Sequence, residues 1–207
     1  MNRHRLTLLS NSSGPNSAAP YRAVYHPGVI SQMNESVIDR LTNLLGAASL
    51  ALADAQRAAV EGASGQLAAA PAALLAVDKY PGETVRFFVP ILGLTQSGTV
   101  RLFDRLVDDG LVRRAPGRDG RTVALDLSAA GRHAAARVAR ARAQTMADAI
   151  AGFDRDELAA LERTLEKILA RFPANRDDAR HVCRLCDVDI CEGCPVDAAA
   201  TAAGFPR

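Results

Sequence analysis

This 207-residue chain has no long apolar run and no strong excess of charge of either sign. No stretch approaches the roughly 18 to 20 residues that a membrane helix needs. The apolar patch from Leu6 to Leu9, behind Arg3, His4 and Arg5, is too short for a secretory core. These absences predict a cytoplasmic protein with no membrane partner, in a compartment where thiols stay reduced. A formal net charge of +2 does not by itself announce a nucleic-acid binder, so the distribution of charge has to decide. Lysine is nearly missing: apart from Lys79 and Lys167, all 25 basic residues are arginine, a bias expected of a GC-rich bacterial genome. We find no nucleophile–base pair, no phosphate loop and no metal-ligand set with an open position, so the chain reads as a binding protein and not an enzyme. Cysteine is absent before position 183.

What remains is 48 % apolar and 23 % charged, as in ordinary globular domains. Residues 1 to 31, including NSSGPNSAAP, read as a disordered tail. Helical periodicity then begins: Val37, Ile38, Leu41, Leu44, Leu45, Ala48, Leu52 and Ala55 form one stripe that ends near Glu61. In QLAAAPAALLAV, Pro71 marks a break or a first-turn position. YPGE is a turn, and Thr84 caps a compact helix containing Val85, Phe88, Val89 and Leu92. Pro90 lies inside it, which predicts a late start or a kink. Gly93 ends that helix, Thr95 caps the next, TQSGTVRLFDRLVDDG, and Gly110 closes it. LVRRA and TVALDLS then read as two strands joined by the charged turn PGRDGR. Ser128 can cap a long alanine-rich helix reaching about Ala151. Asp154 and Glu157 spell a capping box before Leu158, Leu161, Leu165, Ile168, Leu169 and Phe172, and Pro173 stops the run. The polar stretch ANRDDAR leads to the cysteines. Helix, turn, helix, hairpin is the order of a winged helix-turn-helix, so the fold class is mainly α, with a helical region around an α+β winged core.

A helix that reads the major groove needs one face for its own domain and another for bases and phosphates. Val100, Phe103, Leu106 and Val107 supply the first; Gln96, Ser97, Thr99 and Arg101 point away from it, near the N-terminus capped by Thr95. Between 95 and 121 the cations Arg101, Arg105, Arg113, Arg114, Arg118 and Arg121 outnumber Asp104, Asp108, Asp109 and Asp119. Arginine at a hairpin tip suits the negative potential of a narrow minor groove. Amphipathic helices with solvated arginines are common; the helix-turn-helix followed by a charged hairpin is far more specific, and double-stranded DNA is the expected partner.

LGLTQSGTVRLFDRLVDDGLVRR followed by GRDGRTVALDLSAAG resembles the core of the MarR family of bacterial winged-helix regulators. The family's D-x-R wing element matches Asp119-Gly120-Arg121, and its wing exit matches Leu127-Ser128-Ala129-Ala130-Gly131. The resemblance runs from about residue 34 to 172 and implies a winged-helix domain with dimerisation helices over 32–172. It also implies a homodimer, built from the first and last two helices, that sets two recognition helices on a palindromic operator as a transcriptional repressor. Family members respond to phenolic ligands or oxidants, so a small-molecule effector is an expected partner. Arg132, His133, Arg137 and Arg140 can line an anion cleft, or form a solvated face.

The segment 173–207 is a tail outside that core, and its spacing is C-x2-C-x4-C-x2-C: Cys183, Cys186, Cys191 and Cys194. Four thiolates can close a tetrahedral structural zinc site. An iron–sulfur cluster is the alternative, since Cys194-Pro195 resembles some cluster motifs, and a metal-free thiol switch is a third reading. Arg180 and Arg184 are placed to offset a tetrathiolate's net negative charge, while His181 reads as a bystander. With few apolar residues in the tail, a metal can replace a core; it is expected to brace the dimer or, where its occupancy responds to metal or oxidant, to change the spacing of the two DNA-reading heads. A redox or electron-transfer protein using the winged helix only as a scaffold is the rival function.

Overall fold

The computed structural model describes residues 35–117, 120–187, 190–191 and 193–205. The expected disordered tail at 1–31 lies outside the described residues, as do Arg118 and Asp119. Helix α1 (Glu35–Ser64) lies along α5 (Ala129–Ala149), and α2 (Ala70–Lys79), with Pro71 in its first turn, packs on α5 as well. Between them in the chain come β1 (Glu83–Thr84), α3 (Val85–Leu92), α4 (Gln96–Asp108) and the hairpin β2 (Val112–Pro116) and β3 (Val123–Leu127). The antiparallel sheet has the order β1-β3-β2, with Val112 opposite Leu127 and Pro116 opposite Val123. This is a mainly helical winged-helix fold, with α6 (Arg155–Leu169), α7 (Arg176–Val182) and α8 (Pro195–Ala202) completing it.

One core holds the head together. Leu74 and Val77 of α2, Phe88 and Ile91 of α3, Phe103 and Leu106 of α4, and Leu125 of β3 are buried, and the Phe88 and Phe103 rings meet at 5.3 Å. Ser128 explains why the wing exit has its sequence. Its hydroxyl accepts the Gly131 amide at 2.9 Å and donates to the Gly110 carbonyl at 2.6 Å. A Cβ on Gly131 would run into the Leu111 backbone carbonyl, so only glycine permits the approach.

Thr84 stands at the N-cap of α3 but its side chain makes no cap bond, and Pro90 does not break the helix, which runs from Val85 to Leu92. Gly93 (φ 65°) ends it in a Schellman arrangement: Gly93 N–H donates to Pro90 at 3.3 Å, and Leu94 N–H to Val89 at 3.4 Å. Two expectations for the tail need correction. ANRDDAR is not merely a polar connection, since α7 begins at Arg176 behind an Asn175 cap that accepts the Asp178 amide. Nor does the tail lack a core, because Ala179, Val196 and Ala200 are buried together against Leu169 and Val182.

Outer faces of α1 and α6 remain uncovered within the single chain. Leu41, Leu44, Leu45 and Leu50 of α1 are exposed, Leu50 by 69 %, and α6 has no buried residue even though its capping box is fully formed. No helix among the described residues is long and apolar enough to cross a membrane.

Candidate nucleic-acid interface and cysteine cluster

Helix α4 begins where its sequence signal says. The Thr95 hydroxyl accepts the Gly98 amide at 3.1 Å and lies 3.3 Å from the Ser97 hydroxyl. Gln96, Ser97, Arg101 and Arg105 are exposed, and the last three recur every four residues, so they share one stripe. The Arg101 Nε donates to the Ser97 carbonyl at 3.3 Å, which lays that side chain along the stripe. Leu102, Phe103 and Leu106 fill the opposite face; Val100 and Val107 are only half-buried.

Thr99 does not belong with the outward residues. It is fully buried and its hydroxyl donates to the Thr95 carbonyl at 3.0 Å. A threonine that satisfies itself on the preceding turn can enter a core, which its polarity conceals in the sequence. Arg114 of β2 forms an ion pair with Asp104 of α4, tying the wing's base to the helix beside it. Arg113 pairs with Asp126 across the hairpin at 3.3 Å. Arg121 is exposed at the far side of the turn.

The arginines of α5 serve its joints. Arg132 donates to the Leu127 carbonyl at 2.9 Å, and Arg137 reaches the Ala63 carbonyl at the end of α1, also at 2.9 Å. His133 and Arg140 are exposed.

All four cysteines are free thiols. The Cys183 thiol donates to the Cys186 sulfur and is itself pushed well above the ordinary range by that bond, by burial and by the charges of Cys186 and Cys194. Cys186 is lowered to about 6: the bond from Cys183 outweighs burial, and Arg142, Lys79 and Arg184 add favourable charge. Cys191 is also pushed up, by burial first and then by the neighbouring Cys194 and Cys186. Among the described residues, no three ligand-type side chains are drawn together closely enough to hold an ion as they stand.

The surrounding cations differ in part from those expected. Arg184 contributes, but Arg180 lies over the Phe87 ring at 4.9 Å and the Tyr80 ring at 5.9 Å. Its place is taken by Arg142 of α5, whose guanidinium approaches the Cys186 sulfur at 3.7 Å, and by Lys79 of α2. These two come from distant parts of the chain, so no local pattern around the cysteines could have revealed them. His181 has a structural role apart from the sulfurs, for its Nδ1–H donates to the Ile91 carbonyl of α3 at 2.9 Å.

Solved structures decide the architecture. A MarR family protein from Bacillus stearothermophilus is 26 % identical and matches with a TM-score of 0.57 over 66 % of this chain and 95 % of its own. The chain has the MarR winged-helix fold. YusO from Bacillus subtilis matches at 17 % identity and a TM-score of 0.58, covering 66 % of this chain and 97 % of that one. The reduced form of MarR from E. coli matches at 23 % identity and a TM-score of 0.52, covering 60 % and 96 %. No model of a known family matches the sequence, and no curated protein does. Each MarR-fold structure is thus used almost whole, while about a third of this chain has no counterpart in it.

Proposed function

We propose that this chain is a homodimeric, sequence-specific DNA-binding regulator that represses from a palindromic operator in the cytoplasm. The observation that carries the reading is the exposed Ser97–Arg101–Arg105 stripe on the second helix of a helix-turn-helix, beside a wing in the MarR fold. Gln96 and Arg101 are long enough to reach base edges, and Thr95, Ser97, Arg105, Arg114, Arg118, Asp119 and Arg121 serve the phosphates and the wing. Thr99 is withdrawn from this set by its burial. The uncovered leucines of α1 and α6 support the dimer, since a second copy is the simplest cover for two apolar stripes on one chain.

The test is a fluorescence titration with duplexes from the DNA beside its own gene, repeated over a salt series. Specific binding that weakens steeply with salt is expected. Arg101→Ala and Arg121→Ala should each weaken it without unfolding the protein; unchanged binding in both would overturn the assignment.

The donor set of four free cysteines suits a thiophilic ion once the sulfurs are drawn together. The Arg142 guanidinium stands 3.7 Å from the Cys186 sulfur, and Lys79 and Arg184 add positive charge there. The buried Nε of Arg142 has no hydrogen-bond partner. Such a surplus of cations suits a tetrathiolate, whose four negative charges exceed the two of a bound zinc ion. Cys183, Cys186, Cys191 and Cys194 would hold the ion, which supplies a closed structural cross-link and no catalysis. Elemental analysis and an absorption spectrum of protein purified without oxygen or chelator test this. One colourless zinc per chain is expected; iron with sulfide and visible absorption would replace zinc by a cluster, and neither metal would leave thiol oxidation as the responsive chemistry.

A further inference from the structure

The tail does not hang from the end of the fold. Its helix α7 packs on α3, the first helix of the helix-turn-helix. The contact is specific in three places. The Schellman bonds at the end of α3 serve the carbonyls of Val89 and Pro90, and the next carbonyl, that of Ile91, takes the His181 Nδ1–H at 2.9 Å. The same imidazole lies over Gly93, where a Cβ would stand 2.8 Å from its Cε1, so the turn into α4 is moulded to the ring. Arg180 lies on Phe87 of α3, and Leu185 packs against the main core.

Cys183 begins where α7 ends. It is the helix's C-cap, its amide donates to Ala179 at 3.1 Å, and it stands two residues beyond His181. The Arg184 guanidinium donates to the His181 carbonyl at 2.7 Å. On its other side the cluster meets Arg142 of α5. Whatever fixes the sulfurs therefore fixes the C-terminal end of α7, and with it the imidazole on the turn. Bound as a tetrathiolate, an ion would give the Arg142 and Lys79 charges a buried counter-charge and draw the tail onto α2 and α5.

We propose that the four-cysteine module is a metal-operated clamp on the helix-turn-helix. A thiophilic divalent ion on Cys183, Cys186, Cys191 and Cys194, charge-balanced by Arg142 and Lys79, holds His181 on the Ile91–Gly93 turn and so keeps the recognition helix in position for DNA. The clamp rests on the DNA-binding and metal readings above, and its first test is independent of DNA.

Full-length protein, zinc-loaded and chelator-stripped, is compared by amide hydrogen exchange. On stripping, protection over residues 85–97 should fall about tenfold, the scale of ordinary coupling between sites, while the middle of α5 keeps its protection. Re-addition of zinc should restore it. Equal protection over 85–97 in both states would overturn the clamp, even if zinc binds with full stoichiometry; a chain that takes up no zinc would overturn it together with the metal reading. His181→Ala should retain one zinc per chain yet show the stripped pattern even when loaded, and His181→Asn, whose amide can still donate to Ile91, should recover part of the protection. Loaded His181→Ala with wild-type protection would also overturn the proposal. In DNA titrations, the loaded protein should bind its operator about tenfold more tightly than the stripped one. Equal affinities would show that the clamp does not reach the recognition helix. Absence of any specific binding by the loaded protein would instead sink the regulator reading, while leaving the exchange result to judge the contact between tail and turn.

Discussion

Helices α4 and α6 are built on similar patterns and end in opposite situations. Each opens with a side-chain cap, and each carries an apolar stripe with charges behind it. Yet α4 buries Leu102, Phe103 and Leu106 in its own chain, whereas α6, with the better cap, has no fully buried residue and meets the tail's small core through Leu169 at its end. A capping box satisfies the first amides of a helix but does not supply a surface to bury against, and in proteins most helical stability comes from that surface. The head thus buries its own stripes, while α6 and the outer side of α1 leave apolar residues exposed on the single chain.

The contrast can be broken at its strong end first. Phe103→Ala should cost the head about 3–5 kcal/mol, the usual loss for an aromatic deleted from a packed core, read as a fall in the denaturant midpoint. Leu165→Glu should leave the fold of the single chain intact, because Leu165 is 44 % exposed there, but weaken association by about 2 kcal/mol, roughly a thirtyfold rise in the dissociation constant measured by sedimentation. If that variant instead unfolds without changing association, α6 is covered within the chain and the contrast fails. Arg101→Ala should leave stability unchanged and weaken operator binding by about 1–3 kcal/mol. Smallest of all, Asp154→Ala should cost about 1 kcal/mol, because it removes the acceptor for the Asp156 and Glu157 amides while leaving packing alone.

Where capping chemistry and apolar period agree, the elements were legible: Thr95 before α4, Ser128 before α5, Asp154 with Glu157 before α6, and the hairpin between them. The two-residue β1 was not, since Glu83 and Thr84 have no alternation to show and are strand only because β3 accepts them. Polarity conceals helix α7, although its Asn175 cap, acidic first turn and basic last turn are all written in ANRDDAR. The tail's small core escaped because it is built on Ala179 and Ala200, residues too small to stand out as an apolar stripe. In the candidate DNA interface, the exposed faces of Gln96, Ser97, Arg101 and Arg105 followed from the helical period, and the inward turn of Thr99 did not. The surroundings of the cysteines were the least legible part, because Arg142 and Ile91 approach from elements remote in sequence.

The joint at Gly131 has a mechanical meaning. Backbone touches backbone there, and Ser128 binds both the end of the recognition helix's turn and the start of α5, so the base of the wing has no hinge of its own. This joint ties the start of α5 to the base of the hairpin. Two such rigid arms in a dimer would work as the legs of a compass: the angle between them sets the distance their points can span, and so the separation of half-sites that one operator can present.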